Sequence, residues 1–470
     1  MTDLTLLETG PSELSIPLKI AVEGCCHGSL DNIYNSLEKA CESRGWEVAK
    51  LDFLIICGDF QAIRNERDLN CISVPWRYRT LGDFYRYYSG ERQAPVLTLV
   101  IGGNHEASNY LSELYYGGWL APNIYYLGAV NVLRYGPFRI AGLSGIFKGT
   151  DYCKPHHERL PYDRNEIRSI YHVRECDISK LLQVRFPVDI GISHDWPRRV
   201  EWFGDYKRLF ADRPTFFESA KIDNLGSAPA EQVMNHLRPK YWFSGHMHIK
   251  YSAVVEHKDN TVEDSFKALA ISDELRAQLP GSMFGAAFRK KKSAPKTSPP
   301  DITNIVTHFL ALDKPGPDRE FLELLEVNSS LKAGDTSTNT YMQKTPEGKF
   351  TLHYDEEWLS IIRSSGDILA AGDTSLDIAL GKSDVPPPNA ALQSLRWIQT
   401  NITAKGLLKI PENFEKHAPI YDPNDKANAN EQPCEFPNSQ TGEFCKMLQI
   451  RNQFSVDEDV TEIDNDIVFE

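Results

Sequence analysis

The sequence predicts an α/β protein whose chemistry sits in loops at strand ends, and three observations lead there. Five apolar runs of strand-like length, 18–23, 53–57, 95–101, 188–192 and 241–243, each give way to a short polar block. Those blocks are Gly24-Cys25-Cys26-His27-Gly28, Gly58-Asp59-Phe60, Gly103-Asn104-His105-Glu106, Ser193-His194-Asp195 and Gly245-His246-Met247-His248. After the first block, Leu30, Ile33, Tyr34, Leu37 and Cys41 recur at helical spacing, so a strand, a loop and an amphipathic helix follow in that order. In open α/β sheets ligands bind beyond the carboxyl ends of the strands. The five blocks are therefore expected to converge.

At 470 residues the chain is long enough for two or three domains. A hydrophobic share of 41% suits a soluble globular protein with some disorder. No apolar run approaches the ~20 residues of a membrane helix, so no membrane partner is expected. Residues 1–17 lack a basic, then apolar, leader pattern, which argues against a secretory signal. Nine cysteines without a pairing rhythm point to a reducing compartment, cytosol or nucleus. The formal charge of -14 excludes indiscriminate coating of nucleic acid but not a local basic groove.

Residues 18–257 read as alternating strand and helix, the expected catalytic domain, preceded by an extension at 1–17. The gap between His105 and His194 contains a polar stretch, 148–162, that reads as a loop. Residues 289–300 (RKKKSAPKTSPP) read as a flexible link inside a smaller C-terminal domain, 258–410, whose strands are expected at 302–312 and 321–327. Asp355-Glu356-Glu357-Trp358-Leu359 opens a helix with Ile361 and Ile362 on its apolar side. From about 411 the chain is acidic and rich in Asn and Pro, and an acidic, disordered tail is expected over 411–470.

The blocks differ in how much they say. Cys25–His27 alone also describes a buried thiol beside a packed histidine, and Gly58-Asp59 is a common turn. The Asn104–His105 pair on a glycine-hinged loop is sharper. So is His246–His248, since alternate residues of an extended segment point the same way. Together they offer one thiol, carboxamide and carboxylate oxygens, and several imidazoles, a set that suits two divalent transition metals. Asp59, with two oxygens and a full charge, is the natural bridge. Two metals suit displacement at phosphorus by a hydroxide held between them. Adjacent turn residues diverge, so His105 is expected to face substrate, as general acid to the leaving oxygen or as electrostatic support of the phosphate, while Asn104 faces metal. A second role for His105, hydrogen bonding a ligand, stays open. Asp195 either orients a neighbouring imidazole or caps a turn.

The ordered blocks resemble the calcineurin-like metallophosphoesterase superfamily, whose fold packs β-sheets between helices. Cys25 stands where most of that superfamily has Asp, and this swap is similar to the RNA lariat debranching enzymes. GCCHGSLD at 24–31, GDFQAIRN at 58–65, YRYYSG at 85–90, IGGNHEASN at 101–109, YGGWLAPNIYYLG at 116–128 and SGIFK at 144–148 carry the likeness. So do RSIYHVRE at 168–175, SHDWPR at 193–198, THFLALDKPGP at 307–317 and YDEEWL at 354–359. The resemblance implies metal ligation by Cys25, His27, Asp59, Asn104, His194, His246 and His248, with iron(II), zinc or manganese as cofactor, one or two per chain. It implies catalysis by His105, and hydrolysis of the 2′-5′ phosphodiester at the branch of intron lariat RNA. It also places a lariat-recognition loop at about 147–174.

Two clusters read as RNA-facing. Residues 76–88 interleave Trp76, Tyr78, Phe84, Tyr85, Tyr87 and Tyr88 with Arg77, Arg79 and Arg86. That pattern fits base stacking with phosphate pairing, with Tyr85, Arg86 and Tyr88 as candidates, and it equally fits a helix with a packed aromatic face. The loop holds six cations, Lys148, Lys154, Arg159, Arg164, Arg168 and Arg174, against four acids. Lys148, Arg168 and His172 are its candidate substrate contacts. The 289–292 run reads as a solvated linker or a nuclear signal, and a nucleus-based enzyme of spliced introns would suit the latter. Rival functions are a phosphatase or nuclease of the same superfamily, and a non-catalytic scaffold. GDFQAIRN departs from the phosphatase pattern, and all eight site positions are filled.

Overall fold

A computed structural model describes residues 17–257, 299–329, 340–371, 388–425 and 430–452. Most of the expected extension (1–16), most of the proposed link (289–298) and the end of the acidic tail (453–470) lie outside the described residues.

In chain order the strands are β1 (Pro17–Glu23), β2 (Phe53–Ile56), β3 (Thr98–Val100), β4 (Gly118–Ala121), β5 (Ile124–Tyr126), β6 (Val130–Tyr135) and β7 (Phe138–Leu143). Then follow β8 (Ile190–Ser193), β9 (Tyr241–Ser244), β10 (Tyr251–Glu256), β11 (Val306–Ala311), β12 (Leu322–Asn328) and β13 (Leu352–Tyr354). They form a six-stranded sheet, β12-β1-β2-β3-β5-β4, and a seven-stranded sheet, β10-β11-β9-β8-β7-β6-β13.

Alternation along the strands makes the layers, because successive side chains point to opposite faces. Ile20, Val22, Phe53 and Ile55 of the first sheet meet Ile140, Ile190, Ile192 and Phe243 of the second in one buried cluster. The intervening Ala21, Leu54 and Ile56 face outward onto helix Leu30–Arg44 and its neighbours. Val132, Ala141, Trp242 and Phe309 of the second sheet face a second helical layer that includes Ala228–Leu237 and Glu356–Ala371. The result is two packed sheets between helices.

Helix Leu30–Arg44 buries Leu30, Ile33, Tyr34, Leu37 and Cys41, the five positions expected from spacing. It ends at Gly45, whose left-handed φ of 70° lets its N–H reach back to the Cys41 and Glu42 carbonyls. The parallel run β1-β2-β3-β5 and the parallel run β11-β9-β8-β7 aim their carboxyl ends at one crevice.

Two expectations are corrected. The 302–312 and 321–327 strands do not build a separate unit: β11 sits between β10 and β9, and β12 pairs antiparallel with β1 from Pro17↔Asn328 to Glu23↔Leu322. Nor are the described residues from 411 onward, which are 411–425 and 430–452, a disordered tail. Helix Ser439–Leu448 buries Phe444, Cys445 and Leu448 against the second sheet's helical layer. Among the described residues, no helix is long and apolar enough to cross a membrane.

Candidate metal centre

All five blocks meet beyond the strand ends. Cys25 and His27 follow β1, Asp59 follows β2, Asn104 and His105 follow β3, His194 follows β8, and His246 and His248 follow β9. Ligand atoms of Cys25, His27, Asp59 and His248 all lie within 4.8 Å of one another. Within that group the Nε2 atoms of His27 and His248 stand 2.9 Å apart. Asp59 divides its oxygens between two sides, with Oδ2 3.5 Å from His27 Nε2 and Oδ1 3.4 Å from His194 Nε2. On the second side His194 Nε2 is 3.2 Å from Asn104 Oδ1, and the His194 and His246 rings lie 4.9 Å apart. Asp59 thus stands between the two groups of side chains.

The backbone is bent to reach this arrangement. His27, Asp59, His246 and His248 have φ of 46°, 48°, 65° and 50°, a region that costs an L-residue of order 1–3 kcal/mol. Four such residues in one site are held there by the surrounding contacts. Two glycines make the close approach possible. A Cβ on Gly103 would sit 2.3 Å from Asp59 Oδ1, and one on Gly58 would sit 2.3 Å from His194 Nδ1.

Orientation comes from the atoms behind the ligands. His194 Nδ1 lies 2.7 Å from the Cys57 carbonyl, which leaves Nε2 for the centre. The His246 N–H donates to Cys25 Sγ at 2.9 Å. Buried Glu106 accepts N–H bonds from Phe60 (2.7 Å), Gln61 (2.7 Å) and Gly103 (2.9 Å), and so ties the Asp59 loop to the Asn104 loop. Burial and then the Asp59 charge push its carboxyl up to about 8, against the pull of those three donors. β11 contributes too, because the Asp313 carbonyl accepts from Cys25 N–H at 3.3 Å.

Electrostatics suit a cation. Burial alone would raise Asp59, but the imidazoles of His194, His27, His105 and His246 outweigh it and hold the carboxylate well below its usual range. Burial pushes the Cys25 thiol well up, with Asp59 and Glu23 adding to it. Burial lowers His27 to about 4 and His248 to about 3, helped in both cases by the Lys314 ammonium. Neutral imidazoles are the ligating form, and a bound cation reverses the penalty on a thiolate. A thiol, four imidazoles, a carboxylate and a carboxamide with this geometry fit a pair of divalent transition metals.

His105 stands apart from the ligands, with its ring 5.6 Å from that of His27. Its backbone N–H donates to Asp59 Oδ1 at 2.8 Å, and its Nδ1 is 3.3 Å from the Ser73 carbonyl. Because a carbonyl only accepts, this contact puts a proton on Nδ1 and leaves Nε2 for substrate. Asp195 stands beside an imidazole, with Oδ1 3.8 Å from His246 Nε2, and its Oδ2 also accepts the Phe147 N–H at 3.1 Å.

Two family models match the chain. Calcineurin-like phosphoesterase covers residues 18–250, and the C-terminal domain of the lariat debranching enzyme covers residues 304–453. The chain is 41% identical to a human lariat debranching enzyme over 92% of its own length and 69% of that protein. It is 40% identical to lariat debranching enzyme A of Xenopus laevis (92% and 70% covered) and 37% identical to the Arabidopsis thaliana enzyme (87% and 81% covered). The chain belongs to the lariat debranching enzyme family. Its C-terminal family domain therefore takes in the described residues 411–425 and 430–452.

The substrate-side candidates fare less evenly in this lariat debranching family member. Tyr88 is fully buried, and its hydroxyl donates to the Ala418 carbonyl at 3.0 Å, so its ring cannot stack on a base. Tyr85 packs on Tyr421, with ring centroids 4.9 Å apart, and Arg86 is paired with Asp31 and Asp83. Burial overturns the RNA reading for Tyr88, while Tyr85 and Arg86 are half-buried and engaged within the protein. In the 147–174 loop, Lys148 and Arg168 are exposed. His172 is buried, with Nδ1 2.7 Å from Asp151 Oδ2, and it braces the loop. Arg174 is buried as well, paired with Glu158 and donating to the Asp151 and Ser169 carbonyls.

Reasoning from sequence missed Ser73, Lys314 and Gln432. Gln432 Nε2 donates to the Tyr162 carbonyl at 2.8 Å and its Oε1 accepts the Tyr162 N–H at 2.7 Å. No spacing rule marks these three, since each acts on a partner remote in the chain.

Proposed function

We propose that this chain hydrolyses the 2′-5′ phosphodiester at the branch of intron lariat RNA, opening the lariat for turnover. The observation that carries this is the convergence of Cys25, His27, Asp59 and His248 beside Asn104, His194 and His246, with His105 poised over them. Relatives named lariat debranching enzyme support the substrate.

Cys25, His27 and His248 would hold one cation, Asn104, His194 and His246 the other, and Asp59 both. Bound there, the metals supply Lewis acidity toward phosphoryl oxygens and a water of low pKa. The protein's own groups do the rest. His105, held by Asp59 and Ser73 and carrying a proton on each ring nitrogen, gives the one on Nε2 to the departing 2′ oxygen as the P–O2′ bond breaks and keeps the one on Nδ1 toward Ser73, leaving a 5′ phosphate and a 2′ hydroxyl. Glu106 keeps the Asp59 and Asn104 loops in register during that step. Lys148 and Arg168, exposed on the 147–174 loop, are the cations this reading offers to the phosphates of a branched RNA.

The thiolate and imidazoles favour zinc or iron(II), while Asp59 and Asn104 also accept manganese. A nuclear address suits the substrate, and the 289–292 basic run is the segment to test by relocating it in cells. The deciding experiment compares a synthetic branched RNA with its linear equivalent, using protein loaded with each metal. Selective cleavage at the branch supports the proposal. Equal cleavage of linear RNA makes the protein a general nuclease, and cleavage of neither makes it a scaffold.

A further inference from the structure

Residues 73–83 form an arch pinned at both ends to the metal centre. At one end the Ser73 carbonyl faces His105 Nδ1 at 3.3 Å, and Ser73 Oγ lies 3.1 Å from the Tyr171 hydroxyl of the recognition loop. At the other, Asp83 N–H donates to the Gly28 carbonyl at 3.0 Å, one residue beyond the ligand His27. Val74 and Leu81 turn inward onto the Ile63, Ile72 and Ala107 cluster. Between them the chain turns outward through the short helix Trp76–Tyr78. Trp76 and Tyr78 are 64% and 61% exposed, among the most exposed large hydrophobic side chains described.

Each of these rings has an arginine on it. The Arg79 guanidinium lies 5.5 Å from the Trp76 ring centroid and Arg77 4.7 Å from that of Tyr78. From 69 to 82 the sequence contains those two cations and no Asp or Glu. Core packing does not explain two solvated aromatic rings, and helix Phe84–Ser89 next to them shows what packing does to such residues: Phe84, Tyr87 and Tyr88 are buried. We infer that Trp76 and Tyr78, with Arg77 and Arg79, form a stacking platform for unpaired nucleotides of an RNA strand leaving the branch. Unpaired bases stack on aromatic faces and arginines pair with the phosphates between them, without regard to sequence. The arch lies beside His105 and His27, so a strand leaving the scissile phosphate meets it within a few nucleotides.

This inference rests on the branched-RNA reading, and its test separates the two. Wild-type cleavage of branched RNA against linear RNA checks that reading by itself. The platform is tested with W76A/Y78A and W76F/Y78F, each assayed on a branched RNA with single-stranded arms and on bis-p-nitrophenyl phosphate. For W76A/Y78A the ratio of kcat/KM on branched RNA to that on the small ester should fall about tenfold or more, carried by KM, since the rings bind bases and touch no reacting atom. W76F/Y78F should recover most of the ratio. Annealing complementary strands to the arms should erase the difference between wild type and W76A/Y78A. R77A/R79A should flatten the salt dependence of RNA binding by about 0.7 for each phosphate no longer neutralised. An unchanged ratio in W76A/Y78A overturns the platform, and so does an equal loss on both substrates, which would make the arch a support for His105.

Discussion

In the candidate metal centre every candidate ligand sits one to four residues beyond a strand end, so neighbouring parallel strands deliver it to the crevice. The 147–174 loop has no such scaffold. It is braced from within, by His172 on Asp151 and Arg174 on Glu158, and strapped from outside by Gln432 on Tyr162, 270 residues away. The difference separates two tasks. A ligand misplaced by a fraction of an ångström loses its metal, so ligands ride on the sheet. The proposed recognition loop has a different task, to admit a bulky branched strand, and hydrogen bonds and ion pairs rather than a sheet hold it in place.

The largest expected effect lies in the centre. His105→Ala keeps the backbone N–H that bonds Asp59, so fold and metal content should stay as they are. Turnover on branched RNA should fall by ~10²–10⁴-fold, the span general acids contribute. Steady-state rates and metal analysis on one preparation decide it, and near-normal turnover would remove His105 from the mechanism.

Glu106→Gln comes next. Its Oε1 accepts from Phe60 and Gly103 and its Oε2 from Gln61, so an amide must turn an NH₂ toward at least one N–H donor. The two ligand loops then part company, and metal affinity should drop by ~10–100-fold as measured by chelator competition. Unaltered affinity would mean the strands alone set the loop spacing.

Cys25→Asp should be milder, because a carboxylate still ligates. Exchanging sulfur for oxygen should move the activation profile away from zinc and iron(II) and toward manganese. An unchanged profile would mean that Cys25 is no ligand and that the His246 N–H to Cys25 Sγ contact is only structural.

The same contrast explains what the sequence displayed. The ligand blocks were legible because strand, turn and ligand are contiguous, and helix Leu30–Arg44 because its buried positions follow one period. Strands β11 and β12 were visible as strands but not as members of the two sheets. Their pairing partners reach back as far as β1, and register with so distant a strand leaves no periodic trace. The 76–88 cluster misled because alternating aromatics and arginines describe a packed helix and an RNA platform equally well. The boundary fell inside it, with Trp76 and Tyr78 outside and Phe84, Tyr87 and Tyr88 within. The region after 411 is poor in apolar residues, which read as disorder. It docks through the apolar side of helix Ser439–Leu448 and through side-chain amides that imitate a pairing strand. Gln440 Oε1 accepts the Trp119 N–H at 2.7 Å and its Nε2 donates to the Trp119 carbonyl at 3.0 Å, the pattern Gln432 repeats on Tyr162.

The smallest effect, and the one that tests the strap directly, is expected from Gln432→Ala. The substitution removes two neutral hydrogen bonds to Tyr162, worth about 1 kcal/mol each net. Other contacts of the segment remain, since the Arg67 guanidinium still donates to the residue-432 carbonyl at 3.0 Å and the Asn70 amide to the Glu431 carbonyl at 2.9 Å. The loop should therefore loosen at one point rather than detach. Hydrogen exchange should quicken at the Tyr162 amide and its neighbours while the amides of β1, β2 and β3 keep their protection. On branched RNA the ratio of kcat/KM to that on a small phosphodiester should fall by about fivefold, roughly the equivalent of one hydrogen bond. The loss should appear in KM, because the strap touches no ligand. Matching losses on both substrates would show that the strap reaches the metals, and the division between a rigid centre and a tethered loop would fail. Quickened exchange with no change in the ratio would show that branched RNA itself draws the loop into place, so that the tether contributes to the resting protein and not to recognition.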